Sequence, residues 1–318
     1  MRILVTGGKG MVGNYIKNIV SEKYREHTFI FLSRLDCDLT DRTNVLRYFA
    51  FFKYDYIIHL AASVGGLYKN MDNNIKMFSD NIKINENVLE ACHLNNIRRG
   101  IFCLSSCVYP ANPSKFPMDE TMIHESPPHP SNEGYSYAKR MLEMQTRHYN
   151  NAFGYEFICV TPVNLYGKYD NFNLQDGHFI PMIMHRFYKE LNYRHHNPVG
   201  NFEAYGTGTP LRQFLYTGDF ANIILKLLFD YNGYERNIIC CDDNEWTIKD
   251  IVHKLVDVMK IPREEVKWLT EKADGCMKKT VTNAKLKSIL NDIQFTDFDN
   301  GLNLTYNWFK ENYKIIRK

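Results

Sequence analysis

The stretch Val5-Thr6-Gly7-Gly8-Lys9-Gly10-Met11-Val12-Gly13 sets the fold of this chain. It follows the apolar run Ile3-Leu4-Val5 and precedes Tyr15, Ile16 and Ile19 at helical spacing, so strand, glycine turn and helix stand in succession. The glycines read as GxGxxG from Gly8 or as GxxGxxG from Gly7. Either spacing has the same consequence. Residues without a Cβ permit a tight turn, and backbone N–H groups at a helix N-terminus can then approach a pyrophosphate. A lone GxGxxG is a weak signal; its place between a first strand and a helix makes it a dinucleotide-binding loop.

Working outward, short apolar runs recur at Phe29-Ile30-Phe31-Leu32, Tyr56-Ile57-Ile58-His59-Leu60, Ile101-Phe102-Cys103-Leu104 and Phe157-Ile158-Cys159-Val160. Such runs suit strands buried on both faces. Segments 81–95 and 135–150 carry apolar residues at helical spacing and have the length of crossover helices. The pattern predicts an α/β fold, a doubly wound parallel sheet of the Rossmann kind with helices on both sides. After Pro162 the texture turns to Gly, Pro, Asn and aromatic residues, and regular alternation is lost until about Asn237. We expect residues 1–165 to form the dinucleotide-binding domain, with 213–242 returning to it. Segments 166–212 and 243–318 then make a smaller mixed α/β substrate-binding lobe.

Composition narrows the function. The 318 residues are 44% hydrophobic and 24% charged, with a net charge of +3 and no basic tract, which argues against a nucleic-acid partner. No apolar stretch approaches the roughly 18 residues of a membrane span, and Met1 runs straight into the first strand without a secretory signal. We expect a cytoplasmic protein. The eight cysteines contain no CxxC pair, so no metal site is expected and buried thiols are the default.

The residues after the second strand bear on cofactor choice, because an acid there binds a ribose 2′-hydroxyl and a base pairs with a 2′-phosphate. Leu32 is followed by Ser33 and Arg34, and Lys9 lies in the glycine loop, so two bases converge on the expected phosphate of NADP. Asp36 and Asp38 lie close behind and would reverse the choice if the strand ended later.

Three further pieces follow in order: Leu60-Ala61-Ala62 and Leu104-Ser105-Ser106-Cys107, each ending a strand, then Tyr135-Ser136-Tyr137-Ala138-Lys139. YxxxK on a helix sets Tyr135 and Lys139 one turn apart on one face, where an ammonium could lower the phenol's pKa from about 10. Tyr137 falls on another face. With the glycine loop, these motifs resemble the extended short-chain dehydrogenase/reductase family over essentially the whole chain. The resemblance implies that Tyr135 is a proton donor, Lys139 its activator and Ser105 the hydroxyl that orients a sugar carbonyl.

Further motifs are Val64-Gly65-Gly66-Leu67, Ser105-Ser106-Cys107-Val108-Tyr109-Pro110, Pro162-Val163-Asn164-Leu165-Tyr166-Gly167, Asp170-Asn171-Phe172-Asn173, Gly177-His178-Phe179-Ile180-Pro181 and the segment from Gly206 to Phe214. They resemble the branch of that family that epimerises and reduces a GDP-linked 4-keto-6-deoxy sugar to GDP-L-fucose with NADPH. The resemblance implies Cys107 and His178 as the base and acid of epimerisation. Without the motif, Cys107 reads as a core thiol and His178 as a loop residue before a helix.

Cofactor contacts are implied at Gly7, Gly8, Lys9, Gly10, Met11, Val12, Gly13, Ser33, Arg34, Asp38, Leu60, Ala61, Ala62, Lys139, Pro162, Asn164, Leu165 and His178. Substrate contacts are implied at Gly66, Ser106, Asn164, Arg186, Tyr205, Arg212 and Asp274. Some relatives carry Trp where Tyr205 stands, so only an aromatic face is retained there. The resemblance also implies a homodimer through the helices at 81–95 and 135–150, with Met141, Leu142, Met144 and Tyr149 supplying apolar material.

Overall fold

The computed structural model describes residues 1–193, 201–272 and 274–317, with the backbone alone at 67–69. In chain order the strands are β1 (Arg2–Thr6), β2 (Thr28–Leu32), β3 (Tyr56–His59), β4 (Arg99–Cys103), β5 (Glu156–Pro162), β6 (Asn164–Tyr166), β7 (Phe202–Tyr205), β8 (Leu211–Arg212), β9 (Phe214–Tyr216), β10 (Asn237–Cys240), β11 (Trp246–Thr247) and β12 (Val266–Leu269). The helices are α1 (Met11–Lys23), α2 (Arg42–Phe51), α3 (Leu67–Asp72), α4 (Asn74–Leu94), α5 (Glu133–Phe153), α6 (Phe179–Tyr193), α7 (Thr217–Phe229), α8 (Ile248–Met259), α9 (Ala284–Ile289) and α10 (Phe298–Asn312).

One parallel sheet, ordered β10-β5-β4-β3-β1-β2, organises the molecule. Its central strands have no exposed edge, and Ile3, Leu4, Val5, Ile57, Ile58, Ile101 and Phe157 are fully buried. Helices α2, α4 and α5 pack together as one layer, and α1 packs with α7 in another. The chain leaves β1 for β2 on one side and returns to β3 on the other, so strand order reverses between β1 and β3. In open α/β sheets the ligand crevice lies outside the carboxyl ends at such a switch point.

Beyond the sheet, short pairs β7-β12, β6-β9 and β8-β11 form a second body with α6, α8 and α10. The structure differs from the sequence pattern in three places. Helix α4 starts at Asn74 rather than 81, and α5 extends from Glu133 to Phe153. The stretch after Pro162 contains two full helices, α6 and α7. Helix α7 is apolar around most of its surface because it is buried against α1 and the sheet, and only a narrow polar stripe of Asp219, Asn222 and Lys226 marks its 3.6-residue period.

The sheet carries a buried polar link at its switch point. Thr6 Oγ1 and His59 Nδ1 are 2.8 Å apart, His59 Nε2 lies 3.2 Å from Asn85 Oδ1, and Asn85 Nδ2 donates to the Ala138 carbonyl at 3.3 Å. These contacts tie β1, β3, α4 and α5 together. Burial, aided by the Lys139 charge and opposed by the Asn85 bond, pushes the His59 pKa down to about 3. Unfolded, this imidazole takes a proton below about 6.5, whereas the folded protein resists it. Stability should therefore be unaffected by His59 above that pH and fall by about 1.4 kcal/mol per pH unit as pH drops toward 3. Urea unfolding of wild type and His59→Gln at pH 7.5 and 4.5 measures this; equal pH slopes would contradict it.

Candidate active site

The glycine loop sits at the switch point. Gly7 has φ +69°, and a Cβ there would stand 2.9 Å from the Ala61 nitrogen at the end of β3. A Cβ on Gly8 would meet the Phe31 backbone of β2 at 2.7 Å. The loop is thus pressed between two neighbouring strands, which is why these positions tolerate no side chain. Gly10 N–H donates to the Gly7 carbonyl, and Asn14 N–H returns to the Gly10 carbonyl at 3.0 Å. The intervening N–H groups of Met11, Val12 and Gly13 form the first turn of α1, where helical geometry offers no partner and an anion is favoured. This cradle fits a dinucleotide pyrophosphate.

Arg34 and Lys9 are exposed at the mouth of the loop. Arg34 pairs with Asp38 at 3.1 Å. Ser33 donates from both its N–H and its hydroxyl to Asp36, whose carboxyl is thereby held below its ordinary pKa. The two acids thus face the two bases instead of standing apart from them.

Ser105, Ser106 and Cys107 leave β4 in a single helical turn in which the Ser105 hydroxyl accepts from Cys107 N–H at 3.4 Å. Cys107 is buried. Tyr135 lies in the first turn of α5, where Gly134 N–H donates to Asn74 Oδ1 at 3.1 Å. A Cβ on Gly134 would come within 2.3 Å of the Asn74 carbonyl, so a glycine is what lets α4 press against the start of α5. One turn later Lys139 is buried and donates to the Cys103 carbonyl at 2.7 Å, with its nitrogen 5.9 Å from the Tyr135 ring centre.

The Tyr135 pKa is not depressed, contrary to what its spacing to Lys139 suggests. Burial, together with the nearby Cys107 and Cys103 thiols, pushes the phenol well above its ordinary value. One N–H of the Lys139 ammonium is directed to the Cys103 carbonyl, and burial lowers the Lys139 pKa. A phenol in this setting keeps its proton, as a donor requires.

His178 immediately precedes α6, and its carbonyl accepts the helical bond from Met182 N–H at 3.0 Å. Its loop lies against the segment after β3: Gly66 N–H donates to the Asp176 carbonyl at 3.1 Å, and a Gly66 Cβ would meet the Gly177 carbonyl at 2.9 Å. Pro162 ends β5, and Leu165 lies in β6 beside exposed Asn164, whose amide donates to the Gln213 carbonyl at 2.9 Å. Gln213 is itself buried and exchanges hydrogen bonds with Val281.

On the smaller body, the Arg186 guanidinium lies over the Tyr205 ring at 4.5 Å, so the aromatic face engages that arginine. Arg186 Nε is buried without a hydrogen-bond partner among the described residues. Arg212 is held through the Leu211 carbonyl at 2.8 Å, and burial lowers its pKa. Asp274 accepts from the N–H and hydroxyl of Thr207, both at 2.7 Å. Two open clefts, one beside Trp246, Asp250 and Lys254 and one beside Glu120, Glu143 and Tyr234, contain none of these residues.

Sequence reasoning assigned no role to Gly134 or to the Tyr15 hydroxyl, which accepts from Lys168 N–H and donates to Tyr216, and marked Gln213 only as part of the segment from Gly206 to Phe214. A glycine in the first turn of a helix was the one visible signal, since it costs helix propensity without local benefit.

The comparisons agree with this geometry. The model of the NAD dependent epimerase/dehydratase family matches residues 3–239. A GDP-L-fucose synthase from Dictyostelium discoideum is 40% identical, covering 99% of this chain and 97% of the relative. A probable GDP-L-fucose synthase from Drosophila melanogaster is 38% identical, covering 100% and 99%. The crystal structure of a GDP-L-fucose synthetase from Naegleria fowleri bound to NADP superimposes with a TM-score of 0.91 at 38% identity, covering 100% of this chain and 95% of that one. With the glycine cradle at the switch point and a match that runs through both bodies, the chain belongs to the NAD dependent epimerase/dehydratase family.

Proposed function

We propose that this chain converts GDP-4-dehydro-6-deoxy-D-mannose to GDP-L-fucose with NADPH, inverting C3 and C5 and then reducing the C4 ketone. The observation that carries this reading is the buried Cys107 thiol on the same turn as Ser105 and electrostatically close to the Tyr135 phenol. Reduction alone needs no thiol there.

A 4-keto sugar has acidic C–H bonds at C3 and C5, and inversion needs proton removal on one face and return on the other. Cys107 removes the proton as thiolate, and His178 returns one. Ser105 and Tyr135 hydrogen-bond the C4 oxygen while it carries enolate charge. Tyr135 then gives its proton to that oxygen as C4 is reduced. Lys139 holds the cofactor ribose and the Tyr135 side of the pocket. Bound NADPH supplies the hydride. Arg186 and Arg212 hold the diphosphate through charge-assisted bonds, with Asp274, Ser106, Gly66 and Asn164 around the sugar nucleotide.

Incubation with the 4-keto sugar nucleotide and NADPH tests the reading. GDP-L-fucose should form with one NADPH oxidised per product. A 4-epimerase or 4,6-dehydratase would regenerate its cofactor, so turnover without net NADPH consumption would overturn it.

The assembly belongs to the same proposal. Ile75, Phe78 and Met141 stand exposed on α4 and α5, and Met144 and Tyr149 are half-buried, an apolar face suited to a four-helix contact between two copies. Leu142 drops out of that contact, because it is fully buried in the protomer's own core. No helix among the described residues is long and apolar enough to cross a membrane. A cytoplasmic location is part of the proposal.

A further inference from the structure

The loop that carries His178 opens on a residue that the proposed chemistry leaves unused. Asp170 is 3% exposed, and its Oδ1 accepts from Asn171 N–H at 2.7 Å and lies 3.9 Å from His178 Nδ1. Its other oxygen, Oδ2, is buried with no hydrogen-bond partner among the described residues. A buried carboxylate oxygen without a donor is costly, so its persistence asks for a reason.

The backbone holds it there. Tyr169, directly before it, has φ +65°, a left-handed conformation uncommon for a bulky side chain and worth about 1–3 kcal/mol of strain. That turn is clamped by Tyr15 and Trp308, whose rings meet Tyr169 edge-on at 5.7 and 4.8 Å, and by Asn18, which donates to its hydroxyl. Between Asp170 and His178 the loop is closed on itself. Asn171 donates to the Asp176 side chain, Asn173 accepts from Gln175 and Asp176, and Phe172 N–H donates to the Arg317 carbonyl.

We propose that Asp170 is the positioning residue for His178, holding Nδ1–H so that Nε2 faces the sugar as the proton donor. This rests on the assignment of His178 as the epimerisation acid. The His178 side chain is about half exposed, and in the proposed arrangement a ring rotation brings Nδ1 from 3.9 Å to hydrogen-bond distance of Asp170. The proton balance is simple. The imidazolium gives its Nε2 proton to the enolate carbon, keeps the Nδ1 proton on Asp170, and is recharged from solvent.

The electrostatics run the same way. A cation just before the N-terminus of α6 faces the unfavourable end of the helix dipole. The charged groups facing the imidazole are Asp170, Arg317 and Asp176. The neighbouring Asp170 raises the His178 pKa, partial desolvation of the ring and the Arg317 charge lower it, and the net direction is upward. The acid form is therefore present below that raised pKa and lost as pH rises through it.

The test uses full-length enzyme with NADPH and the 4-keto sugar nucleotide. Asp170→Asn keeps the shape and removes the charge. GDP-L-fucose formation should fall by roughly 10²-fold, within the range of general acid catalysis, and its alkaline limb should move to lower pH. Solvent deuterium should still enter the substrate through Cys107. An unchanged rate and limb would overturn the proposal. Titration of the His178 ring by NMR in wild type, assigned against His178→Asn, needs no Asp170 variant. A ring pKa at or below about 6.5 would overturn the proposal equally. If His178→Asn makes GDP-L-fucose at the wild-type rate, the acid assignment itself fails. If that variant is inactive while Asp170→Asn is normal, the positioning role alone fails.

Discussion

Tyr135→Phe should lower NADPH oxidation by about 10²- to 10⁴-fold while leaving NADPH binding intact. The ring packs in the first turn of α5, which Gly134 holds against Asn74, and phenylalanine keeps that packing. The lost atom is the one that would protonate the C4 oxygen. Burial pushes the phenol's pKa well above its ordinary value, so it stays protonated near neutral pH and can act as a donor. Fluorescence titration of NADPH should match wild type, and single-turnover oxidation should be the step that slows. Near-normal oxidation would remove Tyr135 from this role.

Cys107→Ser should separate the two chemistries of the pocket. Serine is nearly isosteric, keeps the turn after Ser105, and is a far weaker acid than a thiol. The variant should bind substrate normally and fail to remove the protons at C3 and C5. In D₂O, incorporation at both carbons should fall by about 10²-fold or more, as expected for loss of a general base. GDP-L-fucose should become scarce, while slow reduction of the unepimerised ketone continues through Tyr135. Wild-type incorporation and product would return Cys107 to the status of a buried structural thiol.

The parallel sheet and its glycine loop were legible because backbone constraints write themselves locally. Gly7 needs positive φ, Gly8 needs to lie against Phe31, and both needs exclude other residues. YxxxK and the strand ends were legible for the same reason, as short-range spacing on one element. What escaped was long-range. Asp170 meets His178 across a closed loop, Gln213 holds Asn164 from β9's entrance, and Gly134 answers to Asn74 across 60 residues. The sign of the Tyr135 shift escaped too. Sequence gives the spacing of Lys139, but the Cys103 carbonyl that captures it comes from another strand. Helix α7 was hidden because burial on most sides leaves only a narrow polar stripe, Asp219, Asn222 and Lys226, to mark its period.

On our proposal that Arg34 receives the 2′-phosphate of NADPH, the Arg34–Asp38 pair makes that phosphate a replacement partner rather than a first one. Asp38 is anchored through Thr40, which donates from its N–H and hydroxyl at 3.0 and 2.8 Å, whereas Arg34 is 80% exposed and free to swing. In that proposal the guanidinium trades an internal counter-ion for an external one, and exposed pairs of this kind are weak enough to exchange. Added salt screens the bond that is broken as well as the bond that is made. Discrimination by exchange is consequently less sensitive to ionic strength than discrimination by a bare positive charge, and the empty loop presents less unpaired charge to other anions.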